Sequence, residues 1–194
     1  GCHHLDLPFW ALELRHPVRV SAEGPPVHPE TAPTSMSARW EFPARKAADG
    51  RELNPVVLHW HDGGRLPAQF SDEKLGLPKW GGGGTLFVGD EGMLLADYGR
   101  YLLFPEQKFA DFEAPEPTIP NSVGHYREWL DAIRNGGATT CNFDYSGALT
   151  ETVLLGCVAY RSGEAFDWDG AALKASSAQA QKLIAREVRE GWEV

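Results

Sequence analysis

The sequence contains little sulfur, with three cysteines and two methionines in 194 residues. The cysteines, Cys2, Cys141 and Cys157, are odd in number and lack CxxC spacing. They therefore predict neither a disulfide framework nor a structural zinc site. Apolar runs are also short, since none approaches the roughly 20 residues that cross a bilayer, and no signal-peptide pattern heads the chain. We therefore expect no membrane partner.

Basic residues are in the minority, because the chain has 18 Lys and Arg residues and 27 Asp and Glu residues, which gives a net charge of -9. They are scattered, whereas nucleic acids and anionic membranes attract clustered basic residues. We therefore expect no nucleic-acid partner. Hydrophobic residues make up 42% of the chain, which at this length suffices for one sizeable core. The composition predicts a single domain over residues 1–194.

Apolar residues recur at helical spacing between Leu5 and Leu14 and predict a first helix there. Pro8 is tolerable in this helix only within the first turn, and Pro17 would follow its end. Helical spacing returns in 122–135, where an apolar stripe precedes a Gly-Gly stop, and again in 147–162 and 175–190. The stripe consists of Tyr126, Trp129, Leu130 and Ile133.

Alternating or β-branched segments bounded by turn residues predict the strands. These segments are 18–20, 34–42, 56–61, 85–88, 92–95, 100–104 and 164–169. The charged segment 44–54, with its Asp49-Gly50 turn signal, and the strand 56–61 are typical of a hairpin, and 85–104 of a meander. The predicted elements follow the order helix, strands and then helices, which is typical of the α+β class. We expect a mainly antiparallel open sheet with helices packed on one face.

The first group of residues that could support chemistry is Gly1-Cys2-His3-His4-Leu5-Asp6. His3 and Asp6 are three residues apart and would share one face of a helix start. A carboxylate there can orient an imidazole, which titrates near neutrality and suits proton exchange with a substrate hydroxyl. The alternative is that both residues serve only to cap the helix.

The second group is His59-Trp60-His61-Asp62. Its period of two would place His59 and His61 on one strand face and Trp60 on the other. Two such histidines could bind zinc, but a third ligand is available only from distant parts of the sequence, so we predict no metal. Contact with sugar hydroxyls and a merely exposed polar sheet face remain two equal interpretations.

The third group is Asn142-Phe143-Asp144-Tyr145, just before an apolar helix. It indicates an N-terminal cap with core aromatics, or a pocket wall in which Asn142 and Tyr145 contact substrate. His28 lies between prolines in a loop and is a candidate either for a pocket rim or for plain exposure. The glycines 81–84 precede a strand and not a helix, which predicts a flexible turn and not a phosphate-binding loop.

Gly1-Cys2-His3-His4-Leu5-Asp6, followed by Leu7 to Leu12, resembles the end of the DxGxHxxD motif of the Gfo/Idh/MocA oxidoreductases, which opens their second domain. Gly1, His3 and Asp6 are the matching positions. The resemblance is to a bacterial subfamily and covers nearly the whole chain. Its further parts are Trp60 to Gly64, Gly92 with its following strand, His125 to Asn135, Asn142 to Tyr145, and Leu149-Thr150-Glu151.

The resemblance implies an oxidoreductase that uses NAD or NADP on a sugar or polyol. His3 would be the proton-relay residue, and Asp6 would orient it or contact a substrate hydroxyl. The first Asp of the motif would precede Gly1, so we expect a fragment whose cofactor is bound mainly by a missing N-terminal domain. Dehydrogenation, epimerisation and redox-assisted hydrolysis all remain open, as does a cytoplasmic or periplasmic location.

In this family the broad sheet face commonly forms subunit contacts, so an exposed apolar face would imply a homo-oligomer. Two other function classes stay in view. One is a metal-dependent hydrolase built from His3, His4, Asp6, His59 and His61. The other is a carbohydrate-binding module without chemistry, favoured by the 7 Trp and 5 Tyr residues.

Overall fold

The computed structural model describes residues 1–185 and 188–192. Its four helices are α1 (Cys2–Ala11), α2 (His125–Asn135), α3 (Phe143–Ser162) and α4 (Ala178–Ile184). The strands are β1 (Arg19–Glu23), β2 (Ser37–Phe42), β3 (Arg45–Lys46), β4 (Glu52–Leu53), β5 (Val56–His61), β6 (Thr85–Val88), β7 (Met93–Ala96), β8 (Tyr101–Phe104), β9 (Phe166–Asp169) and β10 (Lys174–Ala175).

A five-stranded antiparallel sheet in the order β10-β9-β1-β2-β5 forms the centre of the fold. Trp40 on β2 lies opposite Val20 on β1 and opposite Leu58 on β5, and all three side chains are buried. We call this side of the sheet the inner face. Helices α1 and α3 cover it, which confirms the α+β class with an antiparallel sheet.

Helix α3 approaches the inner face closely because it carries a glycine at the contact point. A Cβ built on Gly156 would lie 2.6 Å from Cζ2 of Trp40, well inside van der Waals contact. The helix begins at the cap Asn142, whose Oδ1 accepts a hydrogen bond from the Tyr145 N–H, and ends at Gly163 in the left-handed conformation. The helix thus begins four residues before the predicted start at 147 and ends at the predicted residue 162.

Helix α1 begins and ends three residues earlier than predicted, and Pro8 lies in its interior and not in its first turn. Proline lacks the N–H that would bond the carbonyl of His4. The hydroxyl of Thr85 on β6 donates to this carbonyl instead, at 3.2 Å. A contact from a distant strand thus compensates for a proline that sequence rules place at the helix start.

The predicted hairpin of 44–54 with 56–61 is wrong. Strand β5 pairs with β2, because its alternating apolar residues continue the inner face. The charged segment folds on itself as the small hairpin β3–β4. The predicted meander is confirmed, since β6, β7 and β8 form a separate three-stranded antiparallel sheet.

Helix α2 begins at His125, three residues later than predicted, and its apolar stripe is exposed. Tyr126 is 75% exposed and Trp129 is 60% exposed. Helix α4 starts at the cap Ser177 and ends at Ile184, so the helix predicted over 175–190 is shorter at both ends, and 186–187 lie outside the described residues. None of the helices in the described ranges is long and apolar enough to cross a membrane.

Candidate functional site

Asp6 and Tyr145 meet where the middle of α1 lies beside the start of α3. The Tyr145 hydroxyl donates to Oδ1 of Asp6 at 2.5 Å, and its ring packs edge-on against the buried Phe9 at 5.8 Å between centroids. Burial and this hydrogen bond to the carboxylate raise the pKa of Tyr145 well above its ordinary value. The phenol therefore stays protonated and holds the Asp6 carboxylate in one orientation.

Asn142 contributes to this junction through the backbone. Its Oδ1 accepts from the N–H of Tyr145 at 3.0 Å, so the capping interpretation of this residue is confirmed. The same cap sets the first turn of α3 and thereby the direction of the Tyr145 side chain. Phe143 is 95% exposed and is not the core aromatic that the sequence predicted. Contact of Asn142 or Tyr145 with a substrate stays a prediction.

His3 lies exposed on the first turn of α1. Its carbonyl accepts a hydrogen bond from the Tyr98 hydroxyl at 3.0 Å, which ties this turn to the loop between β7 and β8. The Cys2 thiol is 4.0 Å from Nδ1 of His3. Asp6 takes its donor from Tyr145, so in this structure the carboxylate is held by a tyrosine where the sequence suggested an imidazole. The His3 ring and Asp6 both remain open to a ligand.

His4, the neighbour of His3, is half-buried. Its ring lies 6.5 Å from that of Trp60 and 5.9 Å from that of Tyr98. A Cβ built on Gly83 would lie 2.2 Å from Nε2 of His4. The glycine run 81–84 is therefore more than the flexible turn that the sequence predicted, because one of its members permits close packing against α1.

His59 and His61 lie on the outer face of the five-stranded sheet, as the period of two predicts, with Trp60 on the inner side. Their rings are parallel, with centroids 6.1 Å apart, and Nδ1 of His61 is 3.0 Å from the Ser37 hydroxyl. Partial burial lowers the pKa of both rings, and the positive charge of Arg39 lowers that of His59 further. Both histidines are more readily neutral than free imidazoles.

The predicted site residues therefore separate into two groups. His3, Asp6, Asn142 and Tyr145 belong to the helices that cover the inner face, and His59 and His61 belong to the opposite face. A sheet lies between the groups, so the two sets of side chains do not line one pocket. Contact of either group with a substrate stays a prediction.

The five residues proposed for a metal-dependent hydrolase are divided in the same way. His59 and His61 lie across the sheet from His3, His4 and Asp6. Within the part of the chain that the structure describes, no three His, Cys, Asp or Glu side chains are grouped to hold a metal ion. The hydrolase interpretation thus lacks the donor set on which it was built.

His28 lies exposed in the loop before β2, where its Nδ1 accepts from the Glu30 N–H at 3.2 Å. The residues just after it form one wall of a cleft that sequence reasoning missed. This cleft, about 480 Å³ in volume, lies between loop 29–36, the start of α1 and the C-terminal half of α3. Its lining includes Leu5, Met36, Trp40, Trp60, Val153, Cys157 and Tyr160.

The cleft could not be found from sequence because its walls come from segments more than a hundred residues apart. The available signal was the helical spacing of 147–162, which includes Val153 and Cys157. No protein-family model matches the chain, and no curated protein matches it either. Function therefore has to be inferred from the geometry of these residues and from the opening motif.

Proposed function

We propose that this chain is the substrate-facing domain of an oxidoreductase that uses NAD or NADP on a hydroxyl or ketone of a sugar or polyol. The observation that carries the proposal is the arrangement on α1, where exposed His3 and exposed Asp6 lie one turn apart and Tyr145 fixes the carboxylate. This is a proton-exchanging group beside a rigid acceptor. The resemblance of Gly1, His3 and Asp6 to the oxidoreductase motif supports the same assignment.

Each residue has a defined task in this proposal. As an alcohol is oxidised, the neutral imidazole of His3 accepts the hydroxyl proton, and in the reverse direction it returns the proton to the ketone oxygen. Asp6 has lone pairs left beyond the one that Tyr145 occupies, and these accept a second substrate hydroxyl and so orient the ring. Tyr145 positions Asp6 and exchanges no proton itself.

The proposal does not place the dinucleotide on the glycine run 81–84. The glycine run 81–84 leads into strand β6, whereas a phosphate-cradling loop leads into a helix N-terminus. The proposal therefore assigns the cofactor to a part of the enzyme outside the described residues. When bound, the nicotinamide would accept or donate the hydride.

The test uses the protein expressed from its complete coding sequence, with nicotinamide absorbance followed across a panel of sugars and polyols. His3→Ala is expected to lower kcat by about 10²- to 10⁴-fold, the range for loss of a general acid or base. His125→Ala is the matched control, because it removes another exposed histidine from the start of a helix. Absence of any NAD- or NADP-dependent turnover, or equal losses in both variants, would overturn the proposal.

A homo-oligomer through the outer sheet face is a second part of the proposal. The outer positions of β1 and β2 carry charged residues, among them Arg19, Arg39 and Glu41, and not the exposed apolar surface that would have implied a homo-oligomer. A contact there would consist of ion pairs and polar groups, which salt weakens. Light scattering should show a larger mass at low salt than at high salt. A monomeric mass at both salt concentrations would exclude the homo-oligomer.

A carbohydrate-binding module without chemistry is the remaining candidate from another class. Such a module would bind the same sugars with unchanged affinity in His3→Ala, because its function needs no proton exchange. Calorimetry of sugar binding by this chain and by His3→Ala therefore separates the two classes. Tight sugar binding in a complete protein that lacks nicotinamide-dependent turnover would favour the module.

A further inference from the structure

The cleft between loop 29–36, α1 and α3 plays no part in the proton chemistry proposed above. Its lining is largely apolar and rich in rings, and it includes Trp60, Tyr160, Met36 and Leu5. A volume of about 480 Å³ lies within the range of small-molecule sites.

Hydrogen bonds hold the aromatic walls of this cleft in place. Nε1 of Trp60 donates to Oδ2 of Asp62 at 2.9 Å, and Oδ1 of the same carboxylate accepts from the Met36 N–H at 2.5 Å. The hydroxyl of Tyr160, another lining residue, donates to the carbonyl of Pro25 at 2.9 Å and ties α3 to the chain that enters the loop. The rings are thus pre-oriented, which lowers the entropic cost of binding a rigid ligand.

A buried donor also lines the cleft. Trp40 is 1% exposed, and its Nε1 has no hydrogen-bond partner among the described residues. Charged groups of both signs lie at the cleft as well, on Glu30 and Arg161. Both side chains belong to exposed residues, so they can reach polar substituents of a ligand without being buried with it.

We infer that this cleft binds the planar aromatic ring of a small molecule, with the polar substituents of the ligand directed to Glu30 and Arg161. The indole of Trp60, the phenol of Tyr160 and the thioether of Met36 offer stacking, edge-on and sulfur contacts that a flat ring uses better than a puckered aliphatic ring of equal area. This inference does not depend on the proposed oxidoreductase.

Cys157 supplies a direct reporter, because it lines the cleft and its residue is exposed. Replacing Cys2 and Cys141 by serine leaves it as the single thiol of the chain. The rate of its alkylation by iodoacetamide is then measured with 4-nitrophenyl β-glucoside, cyclohexyl β-glucoside or methyl β-glucoside. These probes share one sugar and differ only in the aglycone.

The aryl glucoside is expected to slow alkylation about threefold at twice its dissociation constant, as mass action requires of a ligand that covers the thiol. The methyl glucoside should have no effect, and the cyclohexyl glucoside a smaller one. Equal protection by the cyclohexyl compound would overturn the aromatic specificity. No protection by the aryl compound would overturn the site altogether. Nicotinamide is absent throughout, so neither result bears on the oxidoreductase proposal.

The location of the bound ring is tested with two tryptophan substitutions in the same exposed loop. Ala32→Trp places a ring on a residue that lines the cleft and should abolish protection of Cys157 by the aryl glucoside. Thr34→Trp adds the same ring at an exposed position outside the lining and should leave protection intact. Far-ultraviolet circular dichroism confirms that each variant is folded. Protection that survives Ala32→Trp would place the ring elsewhere and overturn the inference.

Discussion

The two faces of strand β2 differ completely although they share one backbone and one set of ladder hydrogen bonds. Trp40 and Phe42 point to the inner face and are buried under α1 and α3. Arg39 and Glu41 alternate with them, point to the outer face and form an ion pair with each other. Side-chain chemistry alone therefore decides which face contributes stability and which is available to polar partners.

The comparison extends to the candidate functional residues. His3 and Asp6 belong to the helical layer on the inner side, where tight packing fixes the Asp6 carboxylate through Tyr145. His59 and His61 belong to the open outer face, where partial burial lowers their pKa. Rigid positioning is thus found on one side of the sheet and readily neutral imidazoles on the other.

The largest expected effect comes from removing the central side chain of the inner face. Trp40→Ala should lower the free energy of unfolding by about 3–5 kcal/mol, because it leaves a large cavity under α3. His59→Ala, one strand away on the outer face, should change it by less than about 0.5 kcal/mol. Urea unfolding of both variants measures the contrast. Similar losses in the two would mean that the faces do not differ as described.

The next effect concerns the distance between α3 and the inner face. A Cβ at position 156 would strike the Trp40 ring, so Gly156→Ala should destabilise the protein by about 1–3 kcal/mol. Gly147 lies on the same helix with nothing within 4 Å of a built Cβ. Gly147→Ala should therefore stabilise by up to about 1 kcal/mol through helix propensity. If both substitutions changed the free energy of unfolding in the same direction, the close approach of α3 to the inner face would be contradicted.

The alternation that separates the faces is also what made much of the fold predictable. A period of two in 34–42 and 56–61 fixed the facing of Trp40, His59 and His61, because adjacent strand residues must point to opposite sides. The pairing partner of β5 was harder to predict, because a Gly-containing turn near position 50 suggested a local hairpin. Strand β5 instead pairs with β2, which buries the apolar side of β5. Rules that use only neighbouring residues cannot decide whether this burial outweighs a nearby turn signal.

Prediction failed where a residue's partner is distant in the chain. Pro8 lies inside α1 because Thr85 satisfies the carbonyl that it leaves free, and Asp6 meets Tyr145 across 139 positions of sequence. Helical spacing assigned α2 an apolar stripe, but spacing cannot tell whether another element covers it. Local pattern thus identified His3 and Asp6 as candidates, while the group that fixes Asp6 emerged only from the fold.

A smaller effect tests how the helical layer holds Asp6. Tyr145→Phe removes the hydroxyl donor but keeps the ring on Phe9, and should cost about 1 kcal/mol of unfolding free energy at this exposed junction. Asp6→Asn combined with Tyr145→Phe should cost less than the sum of the single changes, because both remove one interaction. Tyr126→Phe, on the exposed stripe of α2, is the matched control. Additive losses would show that the pair does not interact.

The smallest effect concerns the outer face and depends on pH. Burial holds the pKa of His59 and His61 below the ordinary value of 6.5, so as pH falls the unfolded chain binds protons at these two positions before the folded chain does. Proton uptake by the unfolded state lowers stability, and stability from this source is therefore present above about pH 6.5 and lost below it.

A variant with His59→Gln and His61→Gln should consequently lose less Tm than the parent between about pH 7 and pH 5. The difference is expected to be at most about 2 °C, because solvent screens two partly exposed rings. Differential scanning calorimetry of both proteins at the two pH values gives the comparison directly. A parent and variant that lose the same Tm on acidification would show that the outer face is as open to water as its charged neighbours suggest, and that its histidines titrate freely.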